Sequence, residues 1–401
     1  MRIIIVGGGI GGLTTAIALS KVGIDAQVYE RAPELREVGA GIGLASNALR
    51  ALDALGLGRA IRSQSLGGVQ GGIRNPKGEV LMAIPTDGLT KQIGAVAVMH
   101  RAELLEELAR EVGPERLHLG RTCTGFEQDQ NGVVARFHNG DTARGDALIG
   151  ADGLRSVVRT QLFGNRPVCY SGYTAWRAVV EVDGGHNHGI GETLGRGRRF
   201  GIVPMSRGRI YWFATNNAAE GERDPEGQTK DVLSRLFRGW HEPIEALIAA
   251  TNEAAILRND IDDMGPLPDW RQGRVALLGD AAHPMTPNLG QGACQAIEDS
   301  VVLAVSLKKH ANIESALLDY QLRRAPRTSK FVMHSRWLGI IAQRQNPLLC
   351  WLRDSAMRAT PKRMAARQMK SLLDVEILTA SERAMFTGQD SRLQPQAAGP
   401  D

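Results

Sequence analysis

The first thirty residues, MRIIIVGGGIGGLTTAIALSKVGIDAQVYE (residues 1–30), decide the fold. Arg2–Val6 is an apolar, β-branched run that predicts a buried strand, and the glycines after it predict a tight turn. Residues 13–21 predict a helix that ends at Gly23, and residues 26–30 predict the next strand. A strand, a helix and a strand within about thirty residues form the β-α-β unit of a parallel sheet. The predicted fold class is therefore α/β, with a Rossmann-like domain.

The glycines of the first turn have the spacing Gly7-x-Gly9-x-x-Gly12, which is typical of dinucleotide binding. The first glycine permits the tight turn, the second lets the backbone approach a pyrophosphate, and the third lets helix and strand pack closely. The free N–H groups at the start of the helix favour a phosphate. Glu30 ends the second strand, where its carboxylate can accept both hydroxyls of an adenosine ribose. This pattern predicts a bound dinucleotide but does not distinguish FAD from NAD.

A second glycine-rich segment, RVALLGDAAHPMTPNLGQGA, lies far downstream at residues 274–293. A short apolar strand again ends in glycine, and another glycine turn again opens a helix. Asp280 is suited to accept a hydroxyl of a ribityl chain. Because FAD is longer than NAD and needs this further anchor, the segment favours FAD. The N–H groups that can face the flavin pyrimidine, where a helix start stabilises negative charge, are those of Gly290, Gln291, Gly292 and Ala293.

Three motifs in this order resemble those of the single-component flavoprotein aromatic hydroxylases, the family of salicylate hydroxylase and para-hydroxybenzoate hydroxylase. The resemblance covers residues 1 to 355, and the combination of motifs is specific. We therefore expect a three-layer FAD-binding domain with a mostly parallel sheet, an inserted antiparallel-sheet substrate domain and C-terminal helices. The three motifs are the glycine turn at 7–12, Gly150-Ala-Asp152-Gly-x-x-Ser-x-x-Arg159, and Gly279-Asp-Ala-Ala-His283 with its extension to Gly292.

The resemblance implies an FAD-dependent monooxygenase. NADH or NADPH would reduce the flavin, and a flavin C4a-hydroperoxide would then hydroxylate an aromatic or heteroaromatic ring. Asp152 would orient Arg159 or a cofactor hydroxyl, and Arg101 would lie on the flavin side. The other residues expected to contact the cofactor are Ile10, Gly11, Arg31, Gly41, Ile42, Gly43 and Cys123.

Two groups of stretches are similar to particular branches of this family. Residues 247–262, with Trp270-Arg-Gln-Gly-Arg, look like the zeaxanthin epoxidase branch, while residues 43–49 and 287–292 look like alkylquinolone 3-monooxygenase. Both relatives handle lipophilic substrates, so we expect an aromatic or lipophilic, quinolone-like substrate. Small polar aromatic compounds such as salicylate are a further alternative as the substrate. The alternatives are epoxidation of an isoprenoid-type substrate and a flavoprotein reductase with the same glycine turn.

The substrate contacts are expected from the β-rich stretch and from the loop before the last flavin helix. By similarity to urate and quinolone hydroxylases, Arg199 would bind a substrate oxyanion or carbonyl, and Tyr211 would donate to it. Pro287 would line the pocket beside the flavin ring. His283 is expected to be a packed turn histidine rather than an acid paired with Asp280. Aromatic side chains that alternate along the strands, about half of them expected in the core, are Tyr173, Trp176, Phe200, Tyr211 and Phe213.

Charge is unevenly distributed in this chain of 401 residues, whose net charge is +5. Residues 321–370 contain twelve Lys or Arg and one acidic residue, Asp354, among apolar residues such as Trp337 and Trp351. This segment indicates either helices packed on the flavin domain or a peripheral contact with an anionic membrane. No nucleic-acid motif accompanies it, so no nucleic-acid partner is expected.

The four cysteines are scattered without a C-x-x-C pair, which predicts free thiols and no metal site. No apolar run is long enough to span a bilayer, and the N-terminus lacks the order of a signal peptide. We therefore expect a cytoplasmic protein, either a monomer or a homodimer.

The change from helical to β-rich patterns predicts a discontinuous domain organisation. The FAD-binding domain would comprise residues 1–72, 98–165 and 270–330, and the substrate-binding sheet domain residues 73–97 and 166–269. Residues 331–378 would form a C-terminal helical segment, and residues 379–401 a disordered tail.

Overall fold

The structure is a computed structural model that describes residues 1–35, 41–63, 71–84, 96–182 and 189–387. A six-stranded sheet forms its centre. Neighbouring strands in this sheet are parallel, except that the edge strand Arg271–Gln272 is antiparallel to Val275–Leu277. This arrangement confirms the predicted, mostly parallel sheet. In spatial order the strands are β17 (Arg271–Gln272), β18 (Val275–Leu277), β11 (Ala147–Gly150), β1 (Arg2–Val6), β2 (Asp25–Tyr29) and β7 (Leu117–His118).

The central strand β1 is buried on both faces, since Ile3, Ile4 and Ile5 are each at most 1% exposed. Such a continuous apolar run is typical of parallel strands that are covered by further layers. One layer contains helices α1 (Ile10–Lys21) and α8 (Gly292–Lys309), which pack against each other. A three-stranded antiparallel sheet contacts β1 and β11 and consists of β8 (Cys123–Asp129), β9 (Gly132–Phe137) and β10 (Thr142–Gly145).

A separate seven-stranded sheet confirms the predicted antiparallel insertion. Neighbouring strands within this sheet are antiparallel except for one parallel pair, Ile190–Leu194 with Gly71–Arg74. Trp176, Phe200 and Trp212 on one face form a second core beneath helices α6 (Thr229–Leu236) and α7 (Ile244–Ala250). In spatial order the strands are β16 (Leu257–Asp263), β12 (Cys169–Glu181), β15 (Arg209–Asn217), β14 (Arg198–Pro204), β13 (Ile190–Leu194), β4 (Gly71–Arg74) and β5 (Val80–Ile84).

The remaining elements join or flank these sheets. Strands β3 (Gly41–Leu44) and β6 (Ala97–His100) form an antiparallel pair. Short 3₁₀ turns occupy Glu253–Ala255, Gly279–Ala281 and Pro287–Leu289. The other described helices are α2 (Ser46–Ala54), α3 (Gly58–Ser63), α4 (Arg101–Val112), α5 (Val157–Phe163), α9 (Ile313–Ala342), α10 (Pro347–Ala359), α11 (Lys362–Leu373) and α12 (Ala380–Thr387).

The C-terminal region differs from its prediction in two places. Helix α9 is unbroken from Ile313 to Ala342, so the boundary predicted between residues 330 and 331 falls inside one element. The prediction of a disordered tail from residue 379 is wrong for residues 380–387, which form α12. Glu382 accepts hydrogen bonds from Lys309 and Arg323, and these buried contacts hold the short, polar helix in place. The rest of the predicted tail, residues 388–401, lies outside the described residues.

No helix within the described ranges combines the length and the apolar character that crossing a bilayer requires.

Candidate active site

The predicted motifs meet because they end neighbouring strands of the parallel sheet. Gly7 follows β1, Glu30 follows β2, Asp152 follows β11, and Gly279 follows β18. These four strands are adjacent, in the order β18-β11-β1-β2. The carboxyl ends of parallel strands lie at one edge of a sheet, which is where open α/β folds bind their ligands. The structure therefore brings the three sequence motifs to a single cleft edge.

The glycine turn is as closely packed as its spacing predicts. Gly7 has φ +112°, and a Cβ atom there would lie 2.3 Å from the Ala151 carbonyl oxygen. A Cβ at Gly12 would lie 1.9 Å from the Gly7 carbonyl oxygen. At Gly9, by contrast, a Cβ would meet nothing within 4 Å. Gly7 and Gly12 are thus required by protein packing, whereas Gly9 faces the open space that a pyrophosphate needs.

The Glu30 carboxylate, which is predicted to contact a ribose, is held in place by the backbone around it. The Gly8 N–H donates to Glu30 Oε2 at 2.6 Å, and the Ala32 N–H donates to Oε1 at 2.9 Å. Each carboxylate oxygen keeps further acceptor capacity for a ligand hydroxyl. A Cβ at Gly8 would lie 2.8 Å from the Glu30 Cβ, so this glycine is needed too. Sequence reasoning missed Gly8, although the run of three glycines contained it.

Asp280 lies in the second half of the site, on the Gly279–Ala281 turn. No described residue donates a hydrogen bond to its carboxylate. The side chain is exposed, yet burial by the surrounding protein raises the pKa of Asp280. An exposed side chain that is closely surrounded by protein belongs to a deep cleft rather than to the outer surface. An acceptor in this position fits a ribityl hydroxyl.

The start of helix α8 lies beside Asp280. A Cβ at Gly292 would lie 3.7 Å from Asp280 Oδ1, and Gly292 is the first residue of this helix. Gly290 adopts φ +61° at the end of the preceding 3₁₀ turn, a left-handed conformation that favours glycine. The free N–H groups at this helix start fit the electron-rich edge of a reduced flavin. Gln291 is buried, and Ala293 is half-buried.

The second motif makes hydrogen bonds within the protein that link two parts of the cleft edge. The Asp152 carboxylate accepts hydrogen bonds from the Ser156 hydroxyl at 2.6 Å and the Val157 N–H at 2.8 Å, which fixes the start of α5. The buried Arg159 guanidinium donates to the carbonyls of Leu154 and Ala281. Asp152 therefore orients α5 rather than the Arg159 side chain. Arg159 ties the second motif to the Asp280 turn, and a contact of Asp152 or Arg159 with the cofactor stays a prediction.

A buried network of charged side chains, which the sequence analysis did not predict, holds the turn that contains Asp280. Asp299 accepts hydrogen bonds from the Gly279 N–H at 3.1 Å and from His283 Nε2 at 2.6 Å. Arg324 donates to Asp299 at 2.7 Å and also to Glu298. Both acids are 0% exposed. His283 is thus a packed turn histidine, as predicted, but its partner is Asp299 rather than Asp280.

The network is ionised because its charges are balanced. Burial alone would raise the pKa of Glu298, but Arg324 and Arg327 hold it below its ordinary value. Burial would likewise raise the pKa of Asp299, but His283 and Arg324 hold it below its ordinary value. Glu298 also accepts a hydrogen bond from Asn47 at 2.6 Å, which links the network to helix α2.

Arg199 is brought to the pocket side of the seven-stranded sheet. It is 4% exposed, and its guanidinium donates to Asn288 Oδ1 at 2.8 Å, to Gln343 Oε1 at 2.9 Å and to Glu192 Oε1 at 3.1 Å. The Tyr173 ring lies 5.4 Å from the guanidinium carbon. Asn288 belongs to the same 3₁₀ turn as Pro287, which is exposed.

Tyr211 lies on the same strand pair as Arg199 but further along it. Arg199 is paired with Thr215, whereas Tyr211 is paired with Val203, four residues away. Four residues of a strand span roughly 13 Å. The expectation that Tyr211 donates to the group bound by Arg199 stays a prediction, and this separation means that the two side chains would approach that group from different directions. Tyr211 packs on the backbone of Gly41, where a Cβ would lie 2.5 Å from its ring.

The other predicted cofactor residues are distributed around this cleft edge. Ile10 is buried in the first turn of α1, and a Cβ at Gly11 would lie 2.8 Å from Leu278, which brings the two halves together. Arg101 begins α4 and helps to hold the pKa of Asp280 down through its charge. Cys123 is buried at the start of β8 and bonds the Gly125 carbonyl, and Arg31 is exposed. Ile42 and Gly43 lie on β3, and their cofactor contacts stay predictions.

The family model described as "FAD binding domain" matches residues 1–335. The chain belongs to this FAD-binding family. The flavoprotein is 44% identical over 375 residues to the aurachin C monooxygenase/isomerase of Stigmatella aurantiaca, covering 93% of this chain and 98% of the relative. It is 36% identical over 343 residues to the FAD-dependent urate hydroxylase of Klebsiella pneumoniae, covering 84% of this chain and 89% of that protein. These relatives place it among the FAD-dependent monooxygenases and confirm the predicted resemblance.

Two further comparisons refine this placement. The flavoprotein is 38% identical over 325 residues to the zeaxanthin epoxidase of Solanum lycopersicum, but it spans only 48% of that protein. The crystal structure of Klebsiella pneumoniae HpxO with FAD and uric acid matches with a TM-score of 0.88 at 32% identity, covering 93% of this chain and 96% of the other. The epoxidase branch is therefore related, while full-length agreement is found with hydroxylases that act on heteroaromatic rings.

Gly9→Ala is expected to weaken FAD binding without unfolding the apoprotein. Gly9 has φ −74°, which alanine adopts readily, and the new methyl group meets no protein atom. Instead it would occupy space next to the pyrophosphate, and such overpacking costs about 1–3 kcal/mol, or about 5- to 150-fold in affinity. The measurement is titration of the apoprotein with FAD. Gly265→Ala, which also meets nothing within 4 Å, is the matched control.

Unchanged FAD affinity in Gly9→Ala would show that the pyrophosphate lies elsewhere. Gly12→Ala should instead fail to fold, because its Cβ overlaps the Gly7 carbonyl.

Proposed function

We propose that this monooxygenase hydroxylates a lipophilic, quinolone-like heteroaromatic ring, with NADH or NADPH as the reductant. The bound FAD supplies the redox and oxygen chemistry, and the protein supplies binding, orientation and exclusion of water. The observation that carries the proposal is the buried Arg199 guanidinium beside the turn that precedes the flavin-facing helix start. A carbonyl-bearing ring offers that cation an acceptor, whereas an isoprenoid hydrocarbon offers none. This difference favours hydroxylation over epoxidation.

The hydrogen bonds of Arg199 leave capacity for a ligand. Its Nε–H is shared between Gln343 and Thr215, one Nη1–H is used by Glu192, and one Nη2–H is used by Asn288. A guanidinium has five N–H donors, and a hydrogen bond with the Tyr173 side chain uses one more, so one terminal N–H is left without a described acceptor. Glu192 and the two amides fix the plane of the guanidinium. A substrate carbonyl or oxyanion at its open edge would therefore be oriented rather than merely attracted.

The same sheet face supplies an apolar surface for the remainder of the substrate. Tyr211, Phe213 and Thr215 are alternate residues of β15, so their side chains lie on the same face of the sheet. Burial raises the pKa of Tyr211, which keeps the phenol neutral and able to donate. A ring with its carbonyl at Arg199 would extend along these aromatics towards Gly41. A lipophilic substrate of this class would partition into membranes, which connects the proposal to the basic C-terminal segment.

Alkylquinolones are expected to stimulate NAD(P)H oxidation and oxygen uptake, whereas small phenolic acids and purines should do so weakly. Arg199→Met should lower kcat/KM for the quinolone about 10- to 150-fold, because a hydrogen bond to a charged group contributes about 1.5–3 kcal/mol. Arg196→Met, an exposed neighbour, is the control. The FAD content of each variant separates loss of substrate binding from loss of the fold.

Stimulation by purines alone, or equal kcat/KM in Arg199→Met and wild type, would contradict the proposed substrate contact.

A further inference from the structure

The last two turns of helix α9 have faces of opposite character. Their inner face closes the candidate substrate pocket. Ser335 Oγ donates to the Thr286 carbonyl at 2.5 Å, and a Cβ at Gly339 would lie 2.5 Å from Asn288 Nδ2. Gln343, just after the helix, accepts from Arg199 at 2.9 Å. This part of α9 therefore packs directly on the turn and the side chains that surround Arg199, the proposed substrate contact.

The outer face of the same turns is apolar and exposed. Met333, Trp337 and Ile340 are 52%, 58% and 49% exposed, and their spacing of four and three residues places them on one side of the helix. Helix α10 continues this character with Leu348, Trp351 and Leu352, which are 62%, 61% and 49% exposed. We call these six residues the apolar ridge.

Helix α10 is fixed to the end of α9 by its other side. Arg353 Nη1 donates to the Ala342 carbonyl at 3.1 Å, and Cys350 Sγ donates to the Arg344 carbonyl at 3.1 Å. Both residues are buried. The exposed apolar side chains of α10 are therefore not the ones that attach this helix to the protein. Their contact with water is unfavourable, and packing against the protein core does not require it. Clustered exposed apolar side chains of this size mark an interaction surface.

The charges around the apolar ridge indicate what it contacts. Lys330, Arg344 and Arg367 are exposed and form no ion pair with any described residue. Other basic residues of the segment are already paired with acidic side chains and add little net charge to this surface, namely Arg323, Arg324, Arg327, Arg336, Arg353, Arg358 and Lys370. In a two-fold contact between copies, this segment would face its own like charge, which disfavours a second copy as the partner. An anionic lipid surface is complementary, and each basic residue near it contributes about 1 kcal/mol.

We propose that the apolar ridge docks on an anionic lipid bilayer. Tryptophan side chains favour the boundary between lipid headgroups and acyl chains, and the flanking basic residues would lie against the headgroups. The contact sets the pocket wall formed by α9 directly against the bilayer. A lipophilic substrate would then enter from the membrane rather than from water. This delivery step rests on the proposed function, whereas the lipid contact does not.

The test is co-sedimentation of the FAD-bound protein with vesicles of phosphatidylcholine, with and without phosphatidylglycerol, at low and high salt. We expect binding to the anionic vesicles at low salt, with weaker binding at high salt and to phosphatidylcholine alone. The double variant Trp337→Ser/Trp351→Ser should bind at least about tenfold more weakly, because it removes the two largest exposed apolar side chains of the apolar ridge. Leu318→Ser is the matched control, since Leu318 is 38% exposed near the other end of the same helix.

Three outcomes would overturn the proposal: no binding to anionic vesicles at low salt, equal binding by the double variant, or dimerisation without vesicles that the double variant abolishes. Turnover of a short-chain, water-soluble quinolone should be unchanged in the double variant, which shows that the pocket is intact. If vesicles bind as expected but no quinolone is hydroxylated, the proposed function fails and the lipid contact stands.

Discussion

Replacing Asp280 with alanine is expected to yield protein that purifies largely without FAD. In the structure this carboxylate lies in the cleft beside the start of α8, and no described residue donates to it. A hydrogen bond between a ligand hydroxyl and a charged acceptor contributes about 1.5–3 kcal/mol, which is about 10- to 150-fold in affinity. The measurement is the FAD content after purification, followed by FAD titration of the apoprotein.

The same variant should leave the apoprotein as stable as the wild-type apoprotein, or more so. The pKa of Asp280 is raised in the folded protein, so the ionised carboxylate opposes folding at neutral pH. This contribution disappears as the pH falls below the raised pKa, and Asp280→Ala removes it at every pH. Loss of FAD with unchanged apoprotein stability would therefore identify a ligand contact. Asp269→Ala, at an exposed acid, is the control. An Asp280→Ala protein that purifies fully loaded with FAD would contradict this placement of the cofactor.

Arg324→Met is expected to lower the free energy of unfolding by about 3–5 kcal/mol, the usual cost of removing one partner of a buried ion pair. Arg324 is 1% exposed and donates to both Glu298 and Asp299. Glu298 keeps Arg327 as a partner, but Asp299 is left with His283 and the Gly279 N–H alone. Chemical unfolding of the FAD-saturated protein measures the change. Because Asp299 holds the Gly279 turn, FAD affinity should also fall.

Lys330→Met, at an exposed position on the same helix, is the control for Arg324→Met and should change stability by less than about 0.5 kcal/mol. If Arg324→Met behaved like this control, the buried network would not hold the turn. The double variant Asp299→Asn/Arg324→Met should recover part of the loss, because it removes the charge of the acid that Arg324→Met leaves without an arginine partner.

The parts of the site that the sequence predicts are those that local geometry dictates. Gly7 and Gly12 are required by contacts within one turn, and Glu30 follows the strand that pairs with β1. The sequence does not determine the order of the strands in the sheet. Each motif, however, directly follows a predicted strand, and the carboxyl ends of parallel strands lie at one edge of a sheet. This is why four distant segments could be predicted to lie at one edge of the sheet before the strand order was known, and the structure places them there.

The buried network escaped prediction because acids and arginines are usually exposed. Glu298 and Asp299 look like a polar helix face, and Arg324 looks like part of a basic surface. One signal was available in the sequence. Residues 292–307 carry no charge apart from these two acids and have apolar residues on every side of the helix, which is typical of a buried helix. Charges inside such a helix require partners, and Arg324 is one that only tertiary packing could identify.

The distance between Arg199 and Tyr211 also depended on structure. Both residues were assigned by resemblance to a single substrate group, but strand pairing separates them by four residues along β15. The helix α12 was missed for another reason. Its stability comes from Lys309 and Arg323, which lie far away in the sequence, rather than from its own short polar pattern.

The most direct test of the account is the crystal structure of this protein with FAD. We predict that the adenosine ribose hydroxyls lie within hydrogen-bond distance of the Glu30 carboxylate, that the pyrophosphate passes over Gly9, and that a ribityl hydroxyl donates to Asp280. A flavin whose ribityl chain lies away from Asp280, or whose pyrophosphate lies away from the Gly7–Gly12 turn, would contradict the account.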